Sequence, residues 1–343
     1  MDEVDSLLQR RKTRLQYIKY LFKPGELVVE WKDGDIRGFR TNFEFTGPVV
    51  QKNGEKRKKP ALNYAEALRA ILEDAEQHST EVKDGVHMWK TLGCSWKFDR
   101  TFSRVYSTLE LALRIQEKQE YLDVDISDLD IFPLAFADES LKQRLEKRGK
   151  MFWKCRFQHF VSCNDDNSQD LDSSADERFM IDLMTYRELH EQQSEGQKSH
   201  VPEVFKDDLG PDTMKHEDPP DEKFIYLLLS SIKGFNLQRK RWADLQVDKM
   251  NDVVWNKKAF KSLVLEHKTK DLIQALISKQ LDSEKSTDLI HGKGNGLILL
   301  LHAGLGTGKT LTAESVAEIP EKPLYRVTCG DIGTEPEQSS RVL

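Results

Sequence analysis

The residues best suited to chemistry lie in the stretch Leu297-Ile-Leu-Leu-Leu-His-Ala-Gly-Leu-Gly-Thr-Gly-Lys-Thr310. An apolar run leads into a glycine-rich turn, then Lys309 and Thr310, then a segment of helical character from Leu311 to about Ile319. Glycines allow a tight turn that points successive backbone N–H groups into one concavity, and the start of a helix adds partial positive charge there. The order of these features predicts a buried strand, a phosphate-binding loop and a helix.

Each residue type in the loop has a predicted task. Lys309 would reach the β- and γ-phosphates of a nucleotide such as ATP or ADP, and the Thr310 hydroxyl would be a ligand of Mg²⁺. The predicted nucleotide-binding residues are Gly304, Leu305, Gly306, Thr307, Gly308, Lys309, Thr310 and Leu311. The alternative is an ordinary strand–turn–helix connection that is rich in glycine.

The loop and several other stretches resemble the AAA family of P-loop ATPases, and within it a group of fungal members with a large N-terminal domain of unknown function. The resemblance also rests on Leu21-Phe-Lys-Pro-Gly-Glu26, Asp130-Ile-Phe-Pro-Leu134, Lys147-Arg-Gly-Lys150, Trp255-Asn-Lys-Lys-Ala-Phe260, Gly292-Lys-Gly-Asn-Gly296 and Pro323-Leu-Tyr-Arg-Val-Thr-Cys-Gly-Asp-Ile-Gly333. It implies an ATPase whose complete form assembles into an oligomeric ring and remodels other proteins, with its N-terminal domain contacting a protein partner or substrate.

The sequence departs from this family at two points. Ala303 stands where the loop pattern begins with glycine, and the family usually reads Gly-Pro-Pro-Gly there. No apolar strand ending in Asp-Glu follows Thr310 in the sequence, and the sensor residues, arginine finger and helical lid of the family are also missing. Because positioned water and charge stabilisation supply most of phosphoryl-transfer catalysis, we expect Mg-ATP binding with poor hydrolysis and assign no catalytic residue. The alternative is a non-enzymatic interaction protein, or a fragment, with a remnant nucleotide core.

Composition places limits on the function. The 343 residues carry a net charge of −6, and 32% of them are charged. This balance does not favour nucleic acid as a partner, although the basic segment 52–60 and the aromatic stretch 86–106 leave that alternative open. Four scattered cysteines, no apolar run long enough to span a membrane and an acidic N-terminus predict an intracellular protein, cytoplasmic or nuclear.

The predicted fold class is an α+β N-terminal domain followed by an incomplete α/β P-loop core. The predicted divisions are the N-terminal domain over 1–160, a mostly flexible linker over 161–222 with a short strand near 179–184, a connector over 223–252, and the first part of the AAA module over 253–343. The linker is rich in Ser, Asp and Asn and poor in apolar residues.

Local patterns predict individual elements. Apolar residues from Val4 to Phe22 recur at helical spacing, strands flank the turn at 33–35, and the aromatic stretch 86–106 favours a half-buried antiparallel sheet. Helices are predicted over 64–77, over 140–150 with an end at Gly149, and around 272–277. Further strands are predicted at 152–161, at 224–229 and, as the second strand of the nucleotide core, at 324–328.

Overall fold

The computed structural model of the chain describes residues 2–41, 86–99, 101–114, 122–164, 177–194, 209–285, 297–328 and 331. In these residues two five-stranded antiparallel sheets are followed by a group of helices. The helices are α1 Asp2–Gln9, α2 Glu139–Lys154, α3 Leu183–Ser194, α4 Pro211–Lys215, α5 Lys257–Ser262, α6 His267–Lys285 and α7 Lys309–Glu318. The strands are β1 Lys12–Thr13, β2 Leu27–Lys32, β3 Asp35–Thr41, β4 Val86–Asp99, β5 Thr101–Arg114, β6 Val124–Asp125, β7 Ile131–Pro133, β8 His159–Cys163, β9 Glu177–Ile181, β10 Ser231–Asn236, β11 Arg241–Gln246 and β12 Met250–Asp252.

The first sheet has the strand order β5-β4-β3-β2-β7. Its largest part is the hairpin of β4 and β5, which pair along their whole length. Trp96, Phe98, Phe102 and Tyr106 lie on one face of this hairpin and Trp89 lies on the other, and Trp96, Phe98 and Phe102 are buried. The antiparallel sheet predicted for 86–106 is therefore confirmed, and it continues to Arg114.

The second sheet has the order β11-β10-β9-β8-β12. It draws four of its five strands from regions that the sequence predicted to be linker and connector: β9 from 161–222, close to the short strand predicted near 179–184, and β10, β11 and β12 from 223–252. The strand predicted at 224–229 is wrong, since Phe224–Leu227 forms a 3₁₀ turn. Three of its four apolar side chains are buried, and an apolar run of this length does not by itself distinguish a strand from a buried helical turn.

Helix α2 lies between the two sheets and contributes to both hydrophobic cores. Leu145 belongs to one cluster with Val28 and Ile36 of the first sheet. Phe152 and Trp153 belong to a second cluster, which joins residues of the second sheet to the β4–β5 hairpin of the first. The predicted end at Gly149 is wrong, because α2 continues to Lys154. The strand predicted to begin at residue 152 begins only at His159, where β8 starts.

Gly149 lies inside α2 because another segment of backbone approaches it closely. A Cβ atom at this position would lie 2.2 Å from the carbonyl oxygen of Ile225. Gly38 on β3 faces the same 3₁₀ turn from the other side, where a Cβ would lie 1.9 Å from the carbonyl oxygen of Tyr226. The turn is therefore held between two glycines, one on the first sheet and one on α2.

The N-terminal segment differs from the single helix predicted over 4–22. Helix α1 ends at Gln9, Arg11 adopts a left-handed φ of 58°, and β1 and a 3₁₀ turn at Leu15–Tyr20 follow. A left-handed residue cannot continue an α-helix, and β1 pairs with β6 instead. The predicted basic loop at 52–60 and helix at 64–77 lie outside the described residues. No helix in the described ranges has the length and apolar character needed to cross a membrane.

We expect Gly149→Ala to destabilise the protein by about 3 kcal/mol, because the new methyl group would displace the Ile225 carbonyl in a packed interior. Gly38→Ala should cost a similar amount. The matched control is Gly210→Ala, where φ is −56° and nothing lies within 4 Å of the added Cβ. Urea unfolding of the three variants would measure the differences, and equal stability of Gly149→Ala and Gly210→Ala would refute the close approach.

Candidate functional site

The loop between residues 303 and 308 has the backbone geometry that its glycines permit. Gly306 and Gly308 have φ values of 75° and 81°, in the left-handed region. Other residue types rarely adopt such angles, so these two glycines are required by the turn. Ala303 does not have a positive φ. The substitution of alanine at the first position of the pattern therefore introduces no backbone strain.

Helix α7 begins directly at the end of this loop. Gly308 is its N-cap residue, and the Gly308 carbonyl accepts hydrogen bonds from the Thr312 N–H at 2.8 Å and the Thr312 hydroxyl at 2.9 Å. Within the loop, the Thr307 hydroxyl donates to the Gly304 carbonyl at 2.9 Å. The loop is thus closed by its own hydrogen bonds, with the first N–H groups of a ten-residue helix beside it.

The Lys309 side chain folds back over the loop. Its Nζ donates to the carbonyl oxygens of Ala303 at 2.9 Å and Gly304 at 2.5 Å. The ammonium group therefore lies beside the turn that carries the predicted phosphate-binding N–H groups. Thr310, the predicted Mg²⁺ ligand, is exposed on the first turn of α7. The structure brings all eight predicted residues, 304–311, together in one loop and helix start.

The segments that flank the loop differ from the predicted parallel sheet. Residues 297–304 and 322–328 form neither helix nor strand in the described part of the chain. Ile298 and Leu300 are 92% and 90% exposed, whereas a strand inside a doubly covered sheet would be buried on both faces. The buried strand predicted before the loop and the strand predicted at 324–328 are therefore wrong, whereas the incomplete α/β P-loop core as a fold class stays a prediction.

Helix α7 is fixed through its opposite side. Val316 and Ile319 pack against a small cluster formed by Phe260 and Leu263 with Ile273 and Ile277 of α6. The apolar face predicted around 272–277 is confirmed at these two isoleucines. The loop is therefore attached to a helical support of its own, made by α5, α6 and α7.

A polar contact joins the far end of α7 to the second sheet. The Glu318 carboxylate accepts hydrogen bonds from Arg178 Nη1 of β9 at 2.5 Å and from the Asn256 N–H at 2.6 Å. The Arg178 guanidinium also lies 5.0 Å from the centroid of the Trp255 ring, which stacks on Phe160 of β8 at 5.7 Å. We call Arg178, Glu318 and Trp255 the α7 anchor.

Electrostatics of the anchor favour the ionised carboxylate. Burial alone would raise the pKa of Glu318, but the hydrogen bonds from Arg178 and the Asn256 N–H outweigh it, so the pKa lies below its usual 4.5. A second contact ties the following segment to the hairpin of β10 and β11. There the Asp331 carboxylate binds Lys240 and Thr328, and these hydrogen bonds hold the pKa of Asp331 far below its ordinary value.

Sequence reasoning did not identify the α7 anchor. Arg178 and Glu318 are 140 positions apart, so no local spacing connects them.

In the described ranges no three His, Cys, Asp or Glu side chains are grouped as metal ligands would be. Cys94, Cys155 and Cys163 are buried free thiols, and burial raises the pKa of Cys155 to about 12, which makes it a poor nucleophile. Cys329 lies outside the described residues.

We expect Arg178→Ala and Glu318→Gln each to increase amide hydrogen exchange at the carboxyl end of α7, because each removes the charged hydrogen bond that fixes Glu318. Glu314→Gln, an exposed position on the same helix, is the matched control and should leave exchange unchanged. Exchange followed by mass spectrometry would measure the effect. Equal protection in all variants would show that the helical cluster alone holds α7.

The anchor should also depend on pH. Since the folded-state pKa of Glu318 is lowered, its contribution is present above the unfolded value of 4.5 and is lost as the pH falls through the folded value. The difference in thermal midpoint between the wild-type protein and Glu318→Gln should therefore shrink when the pH is lowered from neutral to below 4.5. A difference that is constant with pH would contradict an ionised anchor.

Comparison of the chain with models of protein families, with curated proteins and with solved structures identified no match. The interpretation of the site therefore rests on the residues of the loop, on their geometry and on the resemblance noted in the sequence.

Proposed function

We propose that the chain binds Mg-ATP through the loop at 303–311. The observation that supports this most directly is the combination of Gly306 and Gly308 in left-handed conformations with Lys309 at the first turn of α7. Glycines in this conformation allow successive backbone N–H groups to point into one concavity, next to a helix N-terminus and an ammonium group. Three sources of positive potential at one place suit a polyphosphate better than a singly charged anion.

Lys309 is the residue whose hydrogen bonds we expect to change when phosphate binds. Its two hydrogen bonds to loop carbonyls satisfy the ammonium group when no anion is near. A phosphate oxygen would be a stronger acceptor than a neutral carbonyl, because the ammonium group would then hydrogen-bond to an opposite charge. The lysine would therefore exchange one or both carbonyls for phosphate oxygens.

Thr310 would complete the site by binding Mg²⁺ that is already coordinated by the phosphates. These residues support binding rather than turnover. Hydrolysis also requires a group that orients water and Mg²⁺, and no residue of the predicted site takes that role. The buried free thiols Cys94, Cys155 and Cys163 favour an intracellular setting, cytoplasmic or nuclear, where ATP is abundant.

A second candidate function is a non-enzymatic contact with another protein. The observation in its favour is the exposed apolar surface of residues 297–301, together with Leu324, Tyr325 and Val327, which are 38–40% exposed. Contiguous apolar surface of this kind often marks an interaction site. In this alternative the N-terminal sheets and the loop segment serve a protein partner, and Lys309 has no special role.

Isothermal titration with Mg-ATP separates the two functions. We expect Lys309→Ala to weaken binding about 10- to 100-fold, the effect of losing one or two charge-assisted hydrogen bonds. Thr310→Ala should weaken binding only when Mg²⁺ is present. The matched control is Lys268→Ala, which removes the same charge from an exposed position on α6. If Lys309→Ala and Lys268→Ala bind Mg-ATP equally, the loop is not the nucleotide site.

A further inference from the structure

A separate cavity of about 280 Å³ lies on the first sheet. Five side chains of β3, β4 and β5 line one side of it: Arg40, Cys94, Trp96, Arg104 and Tyr106. The segment 220–227, which includes the 3₁₀ turn held between the two glycines, lines the other side. None of these residues belongs to the loop at 303–311.

Strand register explains why the five side chains share a face. Arg40 is directly opposite Cys94, and Cys94 is directly opposite Tyr106. Trp96, two residues further along β4, is opposite Arg104. Directly opposed residues project to the same face of a sheet, and so do residues two apart on one strand. The two arginines thus lie on the strands on either side of β4, separated by two interstrand spacings and by two residues along the strand direction, or roughly 12 Å between their Cα atoms.

The Arg40 guanidinium is only partly satisfied. Its Nε is buried and has no hydrogen-bond partner among the described residues. Its Nη2 contacts Asp221 Oδ2 at 3.5 Å, the outer limit for a hydrogen bond. The other oxygen of Asp221 accepts from the Lys223 N–H at 3.2 Å, which holds the carboxylate at the start of the 3₁₀ turn. A buried N–H of a charged group without a partner is costly, so this arrangement favours an added acceptor.

Two aromatic side chains, Trp96 and Phe224, also line the cavity. Trp96 and Phe224 are buried and lie 5.2 Å apart between ring centroids. The Arg104 guanidinium lies 5.2 Å from the centroid of the Trp96 ring. The lining therefore combines two cationic groups with the aromatic side chains of Trp96 and Phe224.

We propose that this cavity binds a phosphate monoester. The phosphate would accept hydrogen bonds from Arg40 and Arg104, and the organic group would pack on Trp96 and Phe224. Among the described residues that line the cavity, Arg40 and Arg104 are the cations that can donate to an anionic ligand, so an anion suits it better than a neutral ligand. The planar fork of arginine matches phosphate oxygens, and the phosphate would take over the long Asp221 contact of Arg40.

Phenyl phosphate is the probe that tests this site. Titration into the full chain carrying Lys309→Ala removes any contribution of the nucleotide loop, so failure of this proposal and failure of nucleotide binding give different results. We expect Arg40→Gln and Arg104→Gln each to weaken binding about tenfold or more, through loss of a charge-assisted hydrogen bond. Arg37→Gln is the matched control, because Arg37 is an exposed arginine of β3 on the opposite face. Binding that is absent, or equal in all variants, would overturn the proposal.

Asp221→Asn provides a second test that does not depend on the folding of the arginine variants. It removes the carboxylate that competes for Arg40 while keeping an acceptor for the Lys223 N–H. Phenyl phosphate should therefore bind severalfold more tightly to Asp221→Asn, and unchanged or weaker binding would count against the site.

A phosphotyrosine peptide identifies the source of the ligand. Tighter binding of the peptide than of phenyl phosphate assigns the site to a phosphorylated protein, and equal or weaker binding assigns it to a free phosphate monoester.

Discussion

The 3₁₀ turn at Phe224–Leu227 is the part of the structure on which the packing of both sheets depends. Its carbonyls lie against Gly38 of the first sheet and Gly149 of α2, at distances that leave no room for a Cβ. Its side chains Phe224 and Leu227 belong to the cluster that joins the second sheet to the β4–β5 hairpin of the first. Because backbone approaches backbone on both sides, the turn fixes the separation between the first sheet and α2. It also forms one wall of the arginine-lined cavity, so the same constraint shapes that cavity.

Helix α2 reinforces this arrangement through a buried cation. Arg148 is 2% exposed and donates to the Ile36 carbonyl at 2.7 Å, and burial lowers its pKa. The neighbouring Arg144 binds Asp248, which lies between β11 and β12. A buried guanidinium is stable only when it is hydrogen-bonded and near an opposite charge. The pair thus favours one orientation of α2, in which Arg148 faces the first sheet and Arg144 reaches the second.

Local sequence patterns predicted the elements whose signal lies within one segment. The β4–β5 hairpin, the buried isoleucines of α6 and the glycine positions of the loop all follow from spacing and residue type. Local patterns gave the wrong element, or no prediction, where a contact between residues remote in sequence determines the structure. Glycine is typical of a helix end, but Gly149 lies inside α2. The Ile225 carbonyl, 76 positions later in the sequence, fills the space that a Cβ atom at this position would need, so only glycine fits there. Arg178 had no local signal, because its partner Glu318 is remote in sequence.

The α7 anchor gives the candidate loop a physical connection to the rest of the protein. One end of α7 carries Lys309 beside the loop, and the other end carries Glu318 bound to β9. A helix of ten residues is stiff, so a shift at its first turn is transmitted to its last turn. Nucleotide binding that moves Lys309 would therefore act on Arg178 and on the Trp255–Phe160 stack. An effect on the second sheet requires only that the anchor hydrogen bonds differ in strength between the free and bound states.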